Sequence, residues 1–185
     1  MRLNVIHLAH RTDRLKLLNQ ELIEQHILDY KIWDGIIYES IPHRGISKAH
    51  KQIVKWAQKE KLPEILIAED DFHFTAKGAF DYFIKNKPYD FDIYLGGIHE
   101  GQTKQDNTVA DFSGMTFYVV KSRFYDVFLS VRENGNIDRE LRNRGKFIVC
   151  NPPVVIQHNG FSDNIKQFCN YDMHLKGKTY FGQEP

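Results

Sequence analysis

Little in this chain points to secretion, to a membrane or to nucleic acid. Cysteine is almost absent: Cys150 and Cys169 are the only two in 185 residues. They form neither a disulfide framework nor a metal-binding spacing, so free thiols in a reducing compartment are the plain reading. No apolar run approaches the ~20 residues that a membrane span needs. The opening Met1-Arg-Leu-Asn-Val-Ile-His-Leu is too short in apolar length for a signal peptide and soon meets Arg11. A cytoplasmic location is therefore expected. Neither sign of charge is in excess, since 25 Lys and Arg oppose 24 Asp and Glu for a net charge of +1. Nucleic-acid binders usually carry a basic excess, so no nucleic-acid partner is expected. Three motifs are also missing. No G-x-G-x-x-G follows the first apolar run, and there is no G-x-x-x-x-G-K-[ST] loop and no G-x-S-x-G elbow. Dinucleotide-binding, phosphate-loop and serine-hydrolase chemistry are disfavoured accordingly.

What is present centres on Glu64-Ile-Leu-Ile-Ala-Glu-Asp-Asp71. The run from Glu64 to Ala68 has the β-branched, apolar character of a buried strand. Glu69, Asp70 and Asp71 follow without a break. Carboxylates this close raise one another's pKa unless something positive holds them. A hard divalent cation, Mg²⁺ or Mn²⁺, would do so, because such ions prefer oxygen ligands. A solvated acidic turn is the alternative. In open α/β sheets ligands gather at the carboxyl ends of strands, which is where this triplet falls.

Around it the chain alternates strand and helix patterns. A strand is expected over Leu3–Leu8, then a helix capped by Thr12 or Asp13 with Leu15, Leu18, Leu22 and Ile23 on one stripe. Arg11 and Arg14 stand at that strand-to-helix turn. Phosphates bind at such turns through free N–H groups and the helix dipole, although two solvated arginines would look the same. Tyr30–Ile37 reads as a strand with a turn signal at Asp34-Gly35. A helix from Ile46 or Ser47 to Lys59 carries Lys48, Lys51, Lys55 and Lys59 opposite its apolar stripe. That basic face would permit loose peripheral contact with an acidic membrane surface, and equally suits plain solvation. Further strands are expected over Phe91–Leu95, Gly114–Val120 and Lys146–Cys150, and further helices over Ala76–Lys85, Phe124–Val131 and Ile137–Arg144. Residues 99–111 read as a long polar loop. The alternation predicts an α/β domain with a mostly parallel central sheet flanked by helices. The length suits a single domain over 1–185.

The order of these pieces resembles glycosyltransferase family 25, the lipooligosaccharide and collagen galactosyltransferase group. Val5-Ile-His-Leu-Ala-His-Arg-Thr-Asp-Arg14 resembles its first strand, and Trp33-Asp-Gly35 its aromatic-Asp-Gly element. Gly45-Ile-Ser-Lys-Ala-His50 resembles its G-x-x-x-S-H segment, with Ala49 where the family carries serine. Ile65–Asp71 resembles its strand ending in E-D-D, and Ser113–Val120 its G-x-x-x-Y strand. Asn136-Ile-Asp138 is similar to its P-V-D element. Asn151-Pro-Pro-Val-Val-Ile-Gln157 with Ser162-Asp163 is similar to its closing segment. The resemblance covers about residues 3–164 and leaves 165–185 unassigned.

That resemblance implies a GT-A fold and a bacterial role in lipopolysaccharide biosynthesis. The implied reaction moves a sugar, galactose-like, from a UDP-sugar to a hydroxyl of a glycan or glycolipid acceptor, with inversion. It implies Mn²⁺ or Mg²⁺ at Asp71 and Asp70. His158, after the last strand, could complete the coordination through its imidazole, with a structural histidine as the alternative. Arg11, Arg14, Asp34, His50, Glu69 and Asp70 would bind the donor. Asp138 would be the general base, with Asp163 and Asp111 as further candidates. Two other classes stay open on the residues: a non-catalytic sugar-nucleotide binder, and a metal-dependent phosphoryl or nucleotidyl transferase.

Overall fold

The computed structural model describes residues 1–183. In chain order, strand β1 (Leu3–His7) leads to helix α1 (Thr12–Glu24), β2 (Tyr30–Asp34), α2 (Pro42–Lys59) and β3 (Glu64–Glu69). Next come β4 (Phe72–Phe74), α3 (Ala79–Lys85), β5 (Ile93–Leu95), β6 (Glu100–Gly101), β7 (Thr108–Val109), β8 (Phe112–Ser113) and β9 (Phe117–Lys121). Then follow α4 (Tyr125–Ser130), α5 (Ile137–Leu141), β10 (Phe147–Val149), β11 (Val155–Gln157), β12 (Gly160–Ser162) and β13 (Gln167–Cys169).

Seven strands form the main sheet in the order β2-β1-β3-β9-β5-β10-β7. Strands β1, β2, β3, β5 and β10 run one way; β9 and β7 run the other. The expected α/β architecture with a mostly parallel sheet flanked by helices is therefore present. Side chains alternate across a strand, and the two apolar faces sort accordingly. Ile65, Ile67, Tyr118 and Val120 join α2, α4 and α5 on one side. Leu66, Ala68, Phe117 and Val119 join α1 and α3 on the other.

Phe117 is fully buried and meets the rings of Phe72, Phe74, Phe80 and Phe83 at 5.1–6.5 Å. Phe117→Ala should cost about 3–5 kcal/mol through lost contacts and the cavity left behind. In a urea titration the midpoint should fall while the slope stays unchanged.

Several expected boundaries move. Helix α2 starts at Pro42, four residues before the earliest expected start, because proline fits a first helical turn where no N–H partner is needed. Gly45 lies inside that helix. A Cβ there would sit 2.0 Å from the Ile36 carbonyl oxygen, so glycine lets the helix approach the chain after β2. Ile23 is 73% exposed and not part of the buried stripe of α1. No side chain caps α1, whose N-cap position is Arg11. Strand β2 stops at Asp34, and the Gly35 N–H donates to the His7 carbonyl. The polar stretch 99–111 is not wholly irregular: β6 pairs with β8, and β7 joins the sheet edge beside β10. Strand β11 leaves the sheet and pairs antiparallel with β4. Two lysines of the basic face are engaged: Lys48 Nζ donates to the Tyr38 hydroxyl and Lys51 Nζ to the Val131 carbonyl. Only Lys55 and Lys59 of that face are exposed. Among the described residues no helix is long and apolar enough to cross a membrane.

The register sets up the site. Ile6 pairs with Glu69, and His7 pairs with Asp34. The carboxyl ends of β1, β2 and β3 thus lie side by side. Strand β9 enters at the same edge, where the Glu69 N–H donates to the Thr116 carbonyl. On the far side of β9, β5 ends in Gly96-Gly97. A Cβ on Gly97 would lie 2.1 Å from the Val155 carbonyl oxygen, so this glycine admits the chain that leads into β11.

Candidate functional site

A cleft of about 560 Å³ opens at this carboxyl edge. One wall is the acidic turn after β3. Asp70 is 5% exposed and turns toward β1, where its Oδ2 lies 2.7 Å from His7 Nδ1. Its Oδ1 accepts from Arg14 at 2.9 Å. Asp71 is 4% exposed; its Oδ2 accepts from Gln157 Nε2 at 2.7 Å and lies 2.9 Å from Arg14 Nη1. Burial, opposed by Arg14, pushes the Asp71 carboxyl up to about 7. Its Oδ1 is buried and has no hydrogen-bond partner among the described residues. Glu69 is the most open of the three, with 29% of its side chain exposed.

Behind Glu69 runs a buried relay. The Tyr118 hydroxyl lies 2.7 Å from His50 Nδ1, and His50 Nε2 lies 3.0 Å from Glu69 Oε1. Burial drives the Tyr118 pKa up, so the phenol keeps its proton.

Asp138 stands in the wall formed by α5 and the chain before β9. Its Oδ2 accepts from the Gly114 N–H at 2.9 Å and its Oδ1 from the Arg139 N–H at 2.7 Å. Burial raises its pKa, the two N–H groups lower it, and the charge of Glu69 raises it again; the net shift is upward.

The sequence-derived candidates divide on this geometry. Arg14, His50, Glu69, Asp70, Asp71 and Asp138 all line the cleft. Arg11 does not. Its guanidinium is committed to Asp13 through two bonds, to Asp163 and to the Phe161 carbonyl. It pins β12 to the start of α1. Asp34 has an exposed side chain and stands outside the lining, although neighbouring Gly35 is part of it. His158 is turned away from the cleft. Its ring lies 4.6 Å from that of His73, and its Nε2 is 3.7 Å from Glu21 Oε1. Only its backbone serves the acidic turn, through an N–H donated to the Asp71 carbonyl at 2.8 Å. Asp163 lines the cleft but is engaged by Arg11 and His10. Asp111 is exposed and pairs with Arg139.

Other residues enter that sequence reasoning did not assign. Gln157 and His7 hold the carboxylates, and Tyr118 orients His50. Ile165, Lys166 and Tyr171, from the unassigned tail, close one side of the cleft beside Ser162, Asp163 and Asn164. The His99 ring packs against those of Tyr171 and His174, at 4.7 and 5.1 Å. Burial pushes its pKa down to about 4, so the ring is neutral there.

The donor chemistry of the acidic wall suits a hard divalent cation, but among the described residues its three carboxylates do not bring one ligand atom each within 4.8 Å of one another. The wall offers oxygen donors only, and the unpartnered Asp71 Oδ1 has unused acceptor capacity where buried polar atoms are normally satisfied.

No family model matches this chain, and no curated protein matches it in sequence. Among solved structures it is similar to HddC from Yersinia pseudotuberculosis, at 12% identity over 80% of this chain and 68% of that one, with a TM-score of 0.48. It is also similar to a glycosyltransferase involved in the glycosylation of the major capsid of PBCV-1. That likeness has 14% identity over 82% of this chain and 81% of the other, with a TM-score of 0.48. Likenesses this distant leave the chemistry to be argued from the cleft itself.

Proposed function

We propose that this chain is a metal-dependent glycosyltransferase of the family 25 type. It would move a galactose-like sugar from a UDP-sugar to a hydroxyl of a glycan or glycolipid acceptor, with inversion. The observation that carries this reading is that one cleft holds two different acidic sites. Glu69, Asp70 and Asp71 cluster beside Arg14 on one wall, and Asp138 stands apart from them in another. A transferase that inverts needs both: charge compensation for a leaving diphosphate and a separate base for the acceptor.

Asp71, with Asp70 and Glu69, would hold the cation. When bound, Mn²⁺ or Mg²⁺ would supply Lewis-acid compensation for the charge that grows on the leaving diphosphate. Arg14 adds a planar guanidinium that can serve phosphate as it now serves the carboxylates. The Tyr118–His50 relay keeps Glu69 turned to the cleft. Ile6, Leu8, Ile36, Pro42 and Ile46 give the cleft an apolar flank that suits a nucleoside ring. In the transfer itself, the acceptor oxygen bonds to the anomeric carbon from the face opposite the diphosphate. The bond from that carbon to the diphosphate oxygen breaks, and its electron pair leaves with the nucleotide. The acceptor proton passes to the Asp138 carboxylate.

The test is calorimetric titration of UDP, GDP and CMP with and without Mn²⁺, followed by product analysis. UDP should bind at least ~10-fold more tightly with Mn²⁺, a difference of about 1.4 kcal/mol. Turnover should release intact UDP. Release of UMP or pyrophosphate would instead mean chemistry at phosphorus, and no nucleotide binding under any condition would sink the reading.

A further inference from the structure

We infer that Glu21, His73 and His158 form a second cation site, different in chemistry from the acidic turn and suited to Zn²⁺. One ligand atom from each of Glu21, His73 and His158 lies within 4.8 Å of those of the other two. Two imidazole nitrogens and one carboxylate oxygen are the donor set of a three-ligand zinc site that keeps a fourth position for water. Imidazole favours zinc and its neighbours, whereas the all-oxygen wall of the cleft favours Mg²⁺ or Mn²⁺.

The local geometry is close to what ligation needs. Ligands about 2.0–2.2 Å from a tetrahedral zinc stand roughly 3.4 Å from each other. His158 Nε2 is already 3.7 Å from Glu21 Oε1. His73 Nδ1 lies at 2.5 Å from the same oxygen, a hydrogen bond that would open by about 1 Å. His158 Nε2 is buried and has no hydrogen-bond partner, a state that costs free energy unless something occupies it. Glu21 is 5% exposed, and its second oxygen is fixed by the Phe74 N–H at 3.0 Å. Such an outer bond orients a ligating carboxylate. The His73 side chain is 40% exposed, which leaves an entry path and room for a water ligand.

The three ligands come from α1, from β4 and from the residue after β11. The β4–β11 pair is also what holds Asp71: the His158 N–H donates to the Asp71 carbonyl, and Gln157 donates to its carboxylate. A cation bound here would therefore clamp the support of the acidic turn without entering the cleft. This inference is independent of which reaction the cleft performs.

Zn²⁺ titrated calorimetrically into the full chain, in excess Mg²⁺, should bind with one ion per chain. Co²⁺ in its place should give the strong visible absorption of a four-coordinate site. His73→Gln and His158→Gln should each weaken Zn²⁺ by more than the ~10–100-fold typical of losing an outer-shell partner, while Asp71→Asn leaves it unchanged. His73 is partly exposed, so its variant carries the test if His158→Gln fails to fold. Absence of Zn²⁺ binding would reduce the cluster to an ion pair between Glu21 and His73. Binding lost with Asp71→Asn but kept with His73→Gln would assign the ion to the cleft. Either result overturns the inference.

Discussion

Asp71→Asn should abolish Mn²⁺-dependent UDP binding and lower kcat/KM by at least ~10³-fold, equivalent to about 4 kcal/mol of lost transition-state stabilisation. The substitution is nearly isosteric, so the loss would be one of charge and not of shape. Asp71 has the one carboxylate oxygen of the acidic wall that is buried and without a partner. An asparagine could still accept from Gln157 through its carbonyl oxygen. That same oxygen would still face Arg14, and the amide would take the place of the unpartnered Oδ1, where it could not ligate a cation. Fold stability should hold, because a neutral amide is cheaper to bury than a carboxylate. A thermal midpoint close to that of the parent, together with lost nucleotide binding, is the expected pair of results. Retained Mn²⁺-dependent binding would remove Asp71 from the donor site. Unfolding would be uninformative about ligation, so Glu69→Gln serves as a second variant. Glu69 is partly exposed, and its loss should weaken binding with less structural consequence.

How much of this site was legible beforehand depended on how far each residue's direction follows from local pattern. The apolar run before Glu69 can only be a buried strand once it is flanked by strands on both sides, and its carboxyl end then delivers the acidic turn. Arg14 was legible because it follows a strand-to-helix turn. Arg11, one helical turn earlier, looked equivalent. It is not, because Asp13, Asp163 and the Phe161 carbonyl engage its guanidinium, and Asp163 is 152 residues away in sequence. His158 shows the same limit in a strand. Successive side chains of extended chain face opposite ways. Gln157 therefore reaches Asp71, while His158 reaches Glu21 on the other side. A displacement of one residue exchanges a cleft ligand for a ligand elsewhere, and no single-sequence pattern fixes that phase once β11 has left the main sheet. The start of α2 was hidden for a different reason. Pro42 and Gly45 read as loop punctuation, yet one fits a first turn and the other permits close packing on Ile36. The tail was unreadable because its contribution is purely tertiary: Tyr171 enters the cleft beside His99, and neither carries a periodic signal.

Asp138 gives the second large expected effect. Asp138→Ala should reduce kcat by about 10²–10⁴-fold, the usual contribution of a positioned general base, while Mn²⁺-dependent UDP binding stays within error of the parent. Both carboxylate oxygens accept backbone N–H groups, from Gly114 and from Arg139. Their loss resembles loss of a helix cap and should cost about 0.5–2 kcal/mol of stability, too little to account for such a drop in rate. Asp138 lines the cleft, and a carboxylate that accepts two hydrogen bonds has lone pairs left to take the acceptor proton. A base works when ionised, so the rate should rise with pH through the pKa of Asp138. Burial shifts that pKa upward, so the rising limb should lie above the ordinary aspartate range and be missing from the variant. A purely structural Asp138 would give a different pattern: donor binding and rate would fall together, and the limb would survive in whatever activity remained. Steady-state rates across pH, read beside UDP calorimetry on the same variant, separate the two. The separation matters because, of Glu69, Asp70, Asp71 and Asp138, only Asp138 is engaged by neither Arg14 nor His50. If it is not the base, the cleft retains its donor wall and loses the group that distinguishes transfer to a hydroxyl from simple nucleotide binding.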